Sequence, residues 1–355
     1  PVTRSFQSLL LNYSMALHDY FPWLLIFVLI LVLYSTELQL RLLRNRRAWD
    51  REQSLLIDYA KRFNFTKEQQ ATASKFINRL CSGNRYECNI VPPYRPLREV
   101  HYAAPKYKLS TCSIPKNMST VLIGLFCFLF DSVRFQKKGR VITDDEYDNR
   151  LCAGQNEFSS LEVLDLGFLE FDQNDNINGS NWTHFLLLRD PLERFMSGFY
   201  SKCGRATQWN ACYGCVQNLD CVLRRQWLSS INYASKGDFF EHELMQWHFS
   251  PQSWYCNIEK HIREYEIIRY SNNDKKGLLK QMIPILEKTG VEKKNLDIIK
   301  EEILETHTEE ATVHLSGVKS FRDQLFSRPD LSRKFLEMYL YDFIIFNYPI
   351  PSFQF

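Results

Sequence analysis

The sequence predicts an α/β fold, a central and largely parallel sheet flanked by helices, preceded by one transmembrane helix. Three observations predict it. Short apolar runs rich in β-branched residues alternate with longer helix-patterned segments over the C-terminal part of the chain. Two of the apolar runs end in a charged turn that opens directly into a helix, around Lys116 and around Arg189. Near the N-terminus, residues 20–36, "YFPWLLIFVLILVLYST", carry no charge.

That uncharged run is long enough to cross a bilayer, is bounded by Asp19 and Glu37, and places Tyr20, Phe21, Trp23 and Tyr34 near its ends as interfacial anchors. No small-residue cleavage site follows it, which favours a retained anchor over a removed signal peptide. The expected division is a tail over 1–19, the anchor over 20–36, a charged helical stem over 37–75 and a body over 76–355. Orientation draws opposing signals. Arg41, Arg44, Arg46 and Arg47 follow the span and only Arg4 precedes it, which by the positive-inside rule puts the body in the cytosol. Ten cysteines, Cys81, Cys88, Cys112, Cys127, Cys152, Cys203, Cys212, Cys215, Cys221 and Cys256, are an even number in loop-like sequence and point instead to disulfides in an oxidising lumen. The Asn-x-Ser/Thr triplets at Asn64, Asn178 and Asn181 agree with a lumenal body, while a fourth at Asn117 falls inside a candidate ligand loop and is expected to stay unmodified. Cys212-x-x-Cys215 between Cys203 and Cys221 is also open to a zinc reading.

After the stem, "NIVPPYRPLREVHYAAPKYK" holds four prolines and reads as an extended approach to the first core strand. Strands are expected at Lys108–Ile114, Arg140–Ile142, Leu161–Phe171, His184–Leu188 and Tyr265–Tyr270. Helices are expected at Ser119–Phe130, with Ser119 as N-cap, and at Leu192–Tyr200, Gly277–Lys288, Asn295–Glu305 and Leu331–Phe346. A 355-residue chain with 45% hydrophobic residues supports a sizeable core. A net charge of +3 with no Lys/Arg block argues against nucleic acid as a partner.

Both charged turns lie where ligands bind in such sheets, beyond the carboxyl ends of the strands. In "CSIPKNMSTVLIGLFC" Lys116 stands between an expected strand and an expected helix, whose first N–H groups have no intrahelical partner and favour an anion. Taken alone, it is equally an ordinary solvated lysine. In "THFLLLRDPLERFMSGFYSKC" a buried strand ends at Arg189 and Asp190, and Pro191 opens a helix on which Ser197 shares a face with the strand end. An arginine fork with a hydroxyl suits a phosphate. The alternative is an Asp190 helix cap with Arg189 in a structural ion pair.

Together the two segments resemble a known family. "PKNMST" is similar to the 5'-phosphosulfate loop of sulfotransferases and "RDPLERFMSGFYSK" to their 3'-phosphate motif, in the same order and at similar separation. "HFSPQSWYC", "YEIIRY", "HLSGVKSFRDQL" and "YLYDFIIFNY" resemble regions of membrane-bound carbohydrate sulfotransferases, the group that includes the chondroitin and HNK-1 enzymes. The likeness spans residues 105–350 and implies a P-loop-like sulfotransferase fold, a type II Golgi anchor and transfer of a sulfuryl group from 3'-phosphoadenosine 5'-phosphosulfate (PAPS) to a hydroxyl of a glycosaminoglycan or glycoprotein glycan. It implies Lys116 as the catalytic cation, with Asn117, Met118, Ser119 and Thr120 around the phosphosulfate, and Arg189, Ser197 and Lys202 around the 3'-phosphate. His248 is the first candidate for the general base, ahead of His101, His184 and His314, and no metal is required. The Thr-Asn-Trp-Lys-Arg run that often follows the loop lysine is absent, which leaves the acceptor open. Two rivals remain. A nucleotide kinase-like enzyme lacks its Gly-x-x-x-x-Gly-Lys-Ser/Thr pattern here, and a non-catalytic, disulfide-rich glycan-binding protein would keep the fold without the chemistry.

Overall fold

The computed structural model describes residues 2–82, 88–145, 147–168, 170–171, 177–178, 182–204, 212–237, 243–271, 274–305 and 316–353. Its helices are α1 (Val2–Arg62), α2 (Lys67–Cys81), α3 (Ser119–Phe130), α4 (Ser132–Lys137), α5 (Leu161–Gly167), α6 (Pro191–Phe199), α7 (Leu219–Lys236), α8 (Glu243–Phe249), α9 (Ile258–His261), α10 (Lys275–Lys288), α11 (Lys293–Glu305), α12 (Ser316–Ser327) and α13 (Pro329–Ile345). The strands are β1 (His101–Ala104), β2 (Leu109–Cys112), β3 (Glu157–Phe158), β4 (Glu170–Phe171), β5 (Ile177–Asn178), β6 (Thr183–Arg189) and β7 (Tyr265–Tyr270).

Five strands form the central sheet in the order β3-β1-β2-β6-β7. The β2–β6 and β6–β7 pairs are parallel, and β1 runs antiparallel to both β2 and β3. The continuous apolar run Phe185–Leu188 suits β6 to an interior position between β2 and β7, because a strand covered on both faces needs apolar residues at every position. On one side it packs with the apolar helix α3, where Phe126 lies 5.7 Å from Phe185, and α10 and α11 add Leu286, Leu296 and Ile299 to that core. A second aromatic cluster joins Phe195 of α6 to Phe249, Phe335 and Tyr339.

Three sequence expectations change. Arg140–Ile142 is no strand: Asp144 N–H closes a turn on Val141 O, and the Ile142 N–H donates to Glu302 Oε2 at 2.6 Å. Residues 161–167 are helical, because the Ser160 side chain accepts the Val163 N–H as a cap and Leu161 and Leu164 then share one buried face. Only Glu170–Phe171 of that stretch is extended. The N-cap of α3 is Met118, with Ser119 as the first helical residue. Strand β1 emerges from the proline-rich approach, where the short HYAA run carries little pattern of its own.

All ten cysteines are paired, as Cys81–Cys88, Cys112–Cys256, Cys127–Cys152, Cys203–Cys212 and Cys215–Cys221. This removes the zinc reading, since the thiolates a metal needs are consumed in two separate bridges. Contacts divide the chain into two units, Pro1–Leu55 with Ile77–Cys88, and Leu56–Phe76 with Asn89–Phe355. In the first unit α1 is long and apolar enough to cross a bilayer, and Leu25 to Tyr34 are each at least 48% exposed. Asn64 is exposed, whereas the Asn117 side chain is fully buried; Asn178 and Asn181 fall outside the described side chains.

Helix α3 approaches the 140s loop closely at Gly124, where an added Cβ would lie 2.1 Å from the Ile142 carbonyl oxygen. That contact is with backbone and cannot rotate away. Gly124→Ala is expected to destabilise the protein by about 1–3 kcal/mol, read as a lower Tm in thermal denaturation.

Candidate functional site

The first wall of the site is the turn after β2. Pro115 and Lys116 occupy the centre of a β-turn closed by the Asn117 N–H on Ile114 O at 3.1 Å. Proline presets the second position of such a turn, and the third needs positive φ in its type II form. Lys116 supplies it at φ 70°, and Met118 follows at φ 56°. A non-glycine residue held there costs on the order of 1 kcal/mol. Left-handed residues interspersed along a turn bring successive N–H groups into one concavity, and no side chain caps the N-terminus of α3. Ser119 and Thr120 are half-buried in its first turn. Lys116 itself is 7% exposed, and its Nζ donates to Ser201 Oγ at 2.9 Å.

The second wall is the end of β6. Asp190 accepts the N–H groups of Leu192 and Glu193, and Pro191 fills the first helical position where an N–H is not missed. The Arg189 guanidinium turns toward the first wall: Nη1 donates to the Lys116 carbonyl at 2.6 Å. Its Nε has no hydrogen-bond partner among the described residues, with the Glu193 carboxylate 3.9 Å away, and the ring of Tyr270 lies 5.6 Å from its carbon. Burial pushes this arginine down to about 10, partly offset by Tyr270 and Glu193, so it remains charged at neutral pH. The Asp190 cap and the Arg189–Glu193 contact of the structural alternative are therefore both present, alongside the bond to the turn. Ser197 is half-buried one turn before the wide π-helical turn Tyr200–Gly204 that carries Ser201 and Lys202.

A third segment, His248–Cys256, closes the site. Arg194, 1% exposed, donates from Nε to Pro115 O at 2.9 Å and from Nη1 to Ser250 O at 2.7 Å. Cys256 is bonded to Cys112 at the end of β2. Gln252 donates to Arg189 O at 2.8 Å and accepts from Arg189 N–H at 3.2 Å and from Asn117 Nδ2 at 2.6 Å. The Asn117 side chain, expected to face a ligand, instead points at the sheet edge, where it also donates to Leu187 O at 2.8 Å.

His248 is half-buried and its Nδ1 donates to Leu244 O at 2.7 Å, which leaves Nε2 as an acceptor when the ring is neutral. Burial drives its pKa down to about 3; the bond to Leu244 opposes this, and the charges of Lys116, Lys202 and Arg194 reinforce it. Those charges tie His248 electrostatically to both walls. The other histidines stand elsewhere. His184 pairs with Ser110 at 2.6 Å near the start of β6, at the opposite end from Arg189, and His101 is fully buried against Glu99 at 2.9 Å. His314 lies outside the described residues. Sequence reasoning overlooked Ser201, Arg194 and Gln252 as parts of the site. All three lie inside the motifs of the sequence, yet only the fold reveals that their side chains join the turns.

The two turns thus offer a buried ammonium, a buried guanidinium whose Nε has no hydrogen-bond partner among the described residues, and a helix start without a side-chain cap, a set that fits a ligand bearing anionic groups at two ends. Among the described residues no cluster of side chains suits a metal ion.

Comparison with known proteins agrees with this chemistry. Residues 101–349 match the Sulfotransferase family. The chain is 30% identical over 286 residues to the uncharacterized protein C18B2.2 of Caenorhabditis elegans, covering 80% of this chain and 76% of that one. It is 31% identical over 252 residues to the putative sulfotransferase vep-2 of the same organism, covering 69% and 74%. It is 26% identical over 266 residues to the carbohydrate sulfotransferase chst-1 of that organism, covering 73% and 78%. No solved structure matches it significantly. With most of its body matched, and with both anion-directed turns inside the matched span, the chain belongs to the sulfotransferase family.

Proposed function

We propose that the protein transfers a sulfuryl group from PAPS to a hydroxyl of a carbohydrate, as a single-pass type II membrane protein of the Golgi with its body in the lumen. The observation that carries this reading is the Arg189–Lys116 bond at 2.6 Å, which draws the two anion-directed turns against each other at neighbouring strand ends. The relative named a carbohydrate sulfotransferase supports the acceptor class, and the full pairing of ten cysteines supports an oxidising compartment over the arginine bias.

PAPS supplies an electrophilic sulfur and a phosphate leaving group. As the acceptor oxygen bonds to sulfur, the bond from sulfur to the bridging oxygen breaks and its electron pair stays on the 5'-phosphate. Lys116 is assigned to that bridging oxygen, where the charge grows, so its contact is stronger in the transition state than in the ground state. Met118 lines the phosphosulfate side through its backbone at the helix start and Ser119 and Thr120 through backbone and hydroxyls, while Arg189 and Ser197, with Lys202 beside them, hold the 3'-phosphate and align the donor. His248 Nε2 receives the acceptor proton.

Transfer of radiolabelled sulfate from PAPS onto desulfated chondroitin, heparan and glycoprotein oligosaccharides tests the reading. Wild type is expected to label at least one of them; labelling of none under conditions in which the protein is folded overturns it. Lys116→Ala is expected to lower kcat roughly a hundredfold, on the order of 3 kcal/mol. Lys116→Gly is expected to be just as inactive but more stable than Lys116→Ala by about 1 kcal/mol, because glycine adopts the left-handed backbone without cost; chemical denaturation measures the difference.

With its folded pKa near 3, His248 stays neutral through the whole physiological range. The unfolded imidazole takes up a proton below about pH 6.5, so the contribution of this neutral burial to stability is complete above that pH and declines from there toward pH 3. The acid limb of kcat/KM for the donor due to His248 is accordingly expected below pH 5. A limb near pH 6.5 that disappears in His248→Ala would contradict that placement.

A further inference from the structure

The central sheet has an unusual edge beside the site. Strand β2 pairs with β6 only as far as Cys112 opposite Leu186, and then leaves the sheet; β6 continues through Leu187 and Leu188 to Arg189, paired on its other side with β7 up to Tyr270. On the β2 side three backbone groups of β6 would lose their ladder partners. Two side-chain amides replace the missing strand. Asn117 Nδ2 donates to Leu187 O at 2.8 Å, Gln252 Oε1 accepts from Arg189 N–H at 3.2 Å, and Gln252 Nε2 donates to Arg189 O at 2.8 Å. The two amides bond to each other at 2.6 Å, and both are fully buried. Behind them Asp342 of α13 accepts the backbone N–H groups of Gln252 at 2.6 Å and Ser253 at 3.0 Å, so the backbone that carries Gln252 is anchored on a helix outside the sheet.

We propose that Asn117 and Gln252 are positioning residues which set the spacing between the Lys116 turn and the Arg189 strand end, so that a donor anionic at both ends meets both at once. This rests on the PAPS reading above. Both Nδ2 hydrogens of Asn117 are committed, its backbone N–H is held by Ile114 O, and the fully buried Gln252 amide bonds to the backbone of Arg189 through both Nε2 and Oε1. Their influence passes through the two turns, and it bears on ligands that span the turns, not on ligands that touch one.

The test is calorimetric titration of the full chain in detergent with adenosine 3',5'-bisphosphate, 5'-AMP and 3'-AMP. In Gln252→Ala the Kd of the bisphosphate is expected to rise at least tenfold, while those of the two monophosphates change less than about twofold. Gln252→Glu keeps the volume and the backbone bond to Asp342 but sets an acceptor against the Arg189 carbonyl; the same selective loss is expected, which covers the case in which the alanine variant does not fold. Asn117→Ala/Gln252→Ala is expected to lose no more than the worse single variant, because both changes break one unit. Equal loss for all three ligands, or none, overturns the positioning role while leaving the donor reading in place. Absence of bisphosphate binding by wild type overturns the donor reading, and this proposal with it.

Discussion

The site depends on a place where the sheet runs out of strand. β6 projects beyond β2, and its exposed ladder groups are satisfied by the amides of Asn117 and Gln252 instead of by backbone. Each buried backbone group left without a partner costs about 1–3 kcal/mol, so these contacts are a requirement of folding before they are anything else. They also have a geometric consequence: the two amides that fill the space left by β2 tie the Lys116 turn to the Arg189 strand end.

Around that gap the protein buries an uncommon amount of charge. Lys116, Arg189, Arg194 and Asp342 are each 7% exposed or less; Lys116 donates to the Ser201 hydroxyl, Arg189 and Arg194 donate to backbone carbonyls, and Asp342 accepts backbone N–H groups. Carbonyls and N–H groups stabilise a buried charge without neutralising it, so Arg194 braces the turn through Pro115 O and Ser250 O while the positive field of the site persists for an incoming anion. The depressed basicity of His248 reflects its burial first, with the charges of Lys116, Lys202 and Arg194 reinforcing it. The Cys112–Cys256 bridge links the end of β2 covalently to the segment that follows His248, across 144 residues of chain.

Much of the framework was legible from local pattern. Strand β7 begins and ends where periodicity places it, α3 keeps its expected span although Met118 and not Ser119 is its N-cap, and α10, α11 and α13 each begin two residues before the expected start. The helices are long or largely apolar, and β7 centres Ile267 and Ile268 between tyrosines, so pattern and propensity agree. The stretch 161–171 misled because its apolar residues satisfy either period, and the deciding fact was a single cap bond from Ser160. Strand β1 is four residues long and takes its identity from its pairing with β2 and β3, which no local signal carries.

The linear sequence by itself determined where charge meets a turn: a lysine after Pro115, an arginine before an Asp-Pro helix start, an uncharged N-terminal span and an even set of cysteines. Local chemistry suffices there, because turn geometry, helix starts and transfer free energies depend on a few adjacent residues. Only the tertiary structure decided that Asn117 faces inward, that Ser201 rather than Ser197 meets Lys116, that Cys212 pairs with Cys203 and not with Cys215, and that Gln252 completes a strand 63 residues away. Each of those outcomes is a choice among partners distant along the chain, and it is made by which backbone groups the packing leaves unsatisfied.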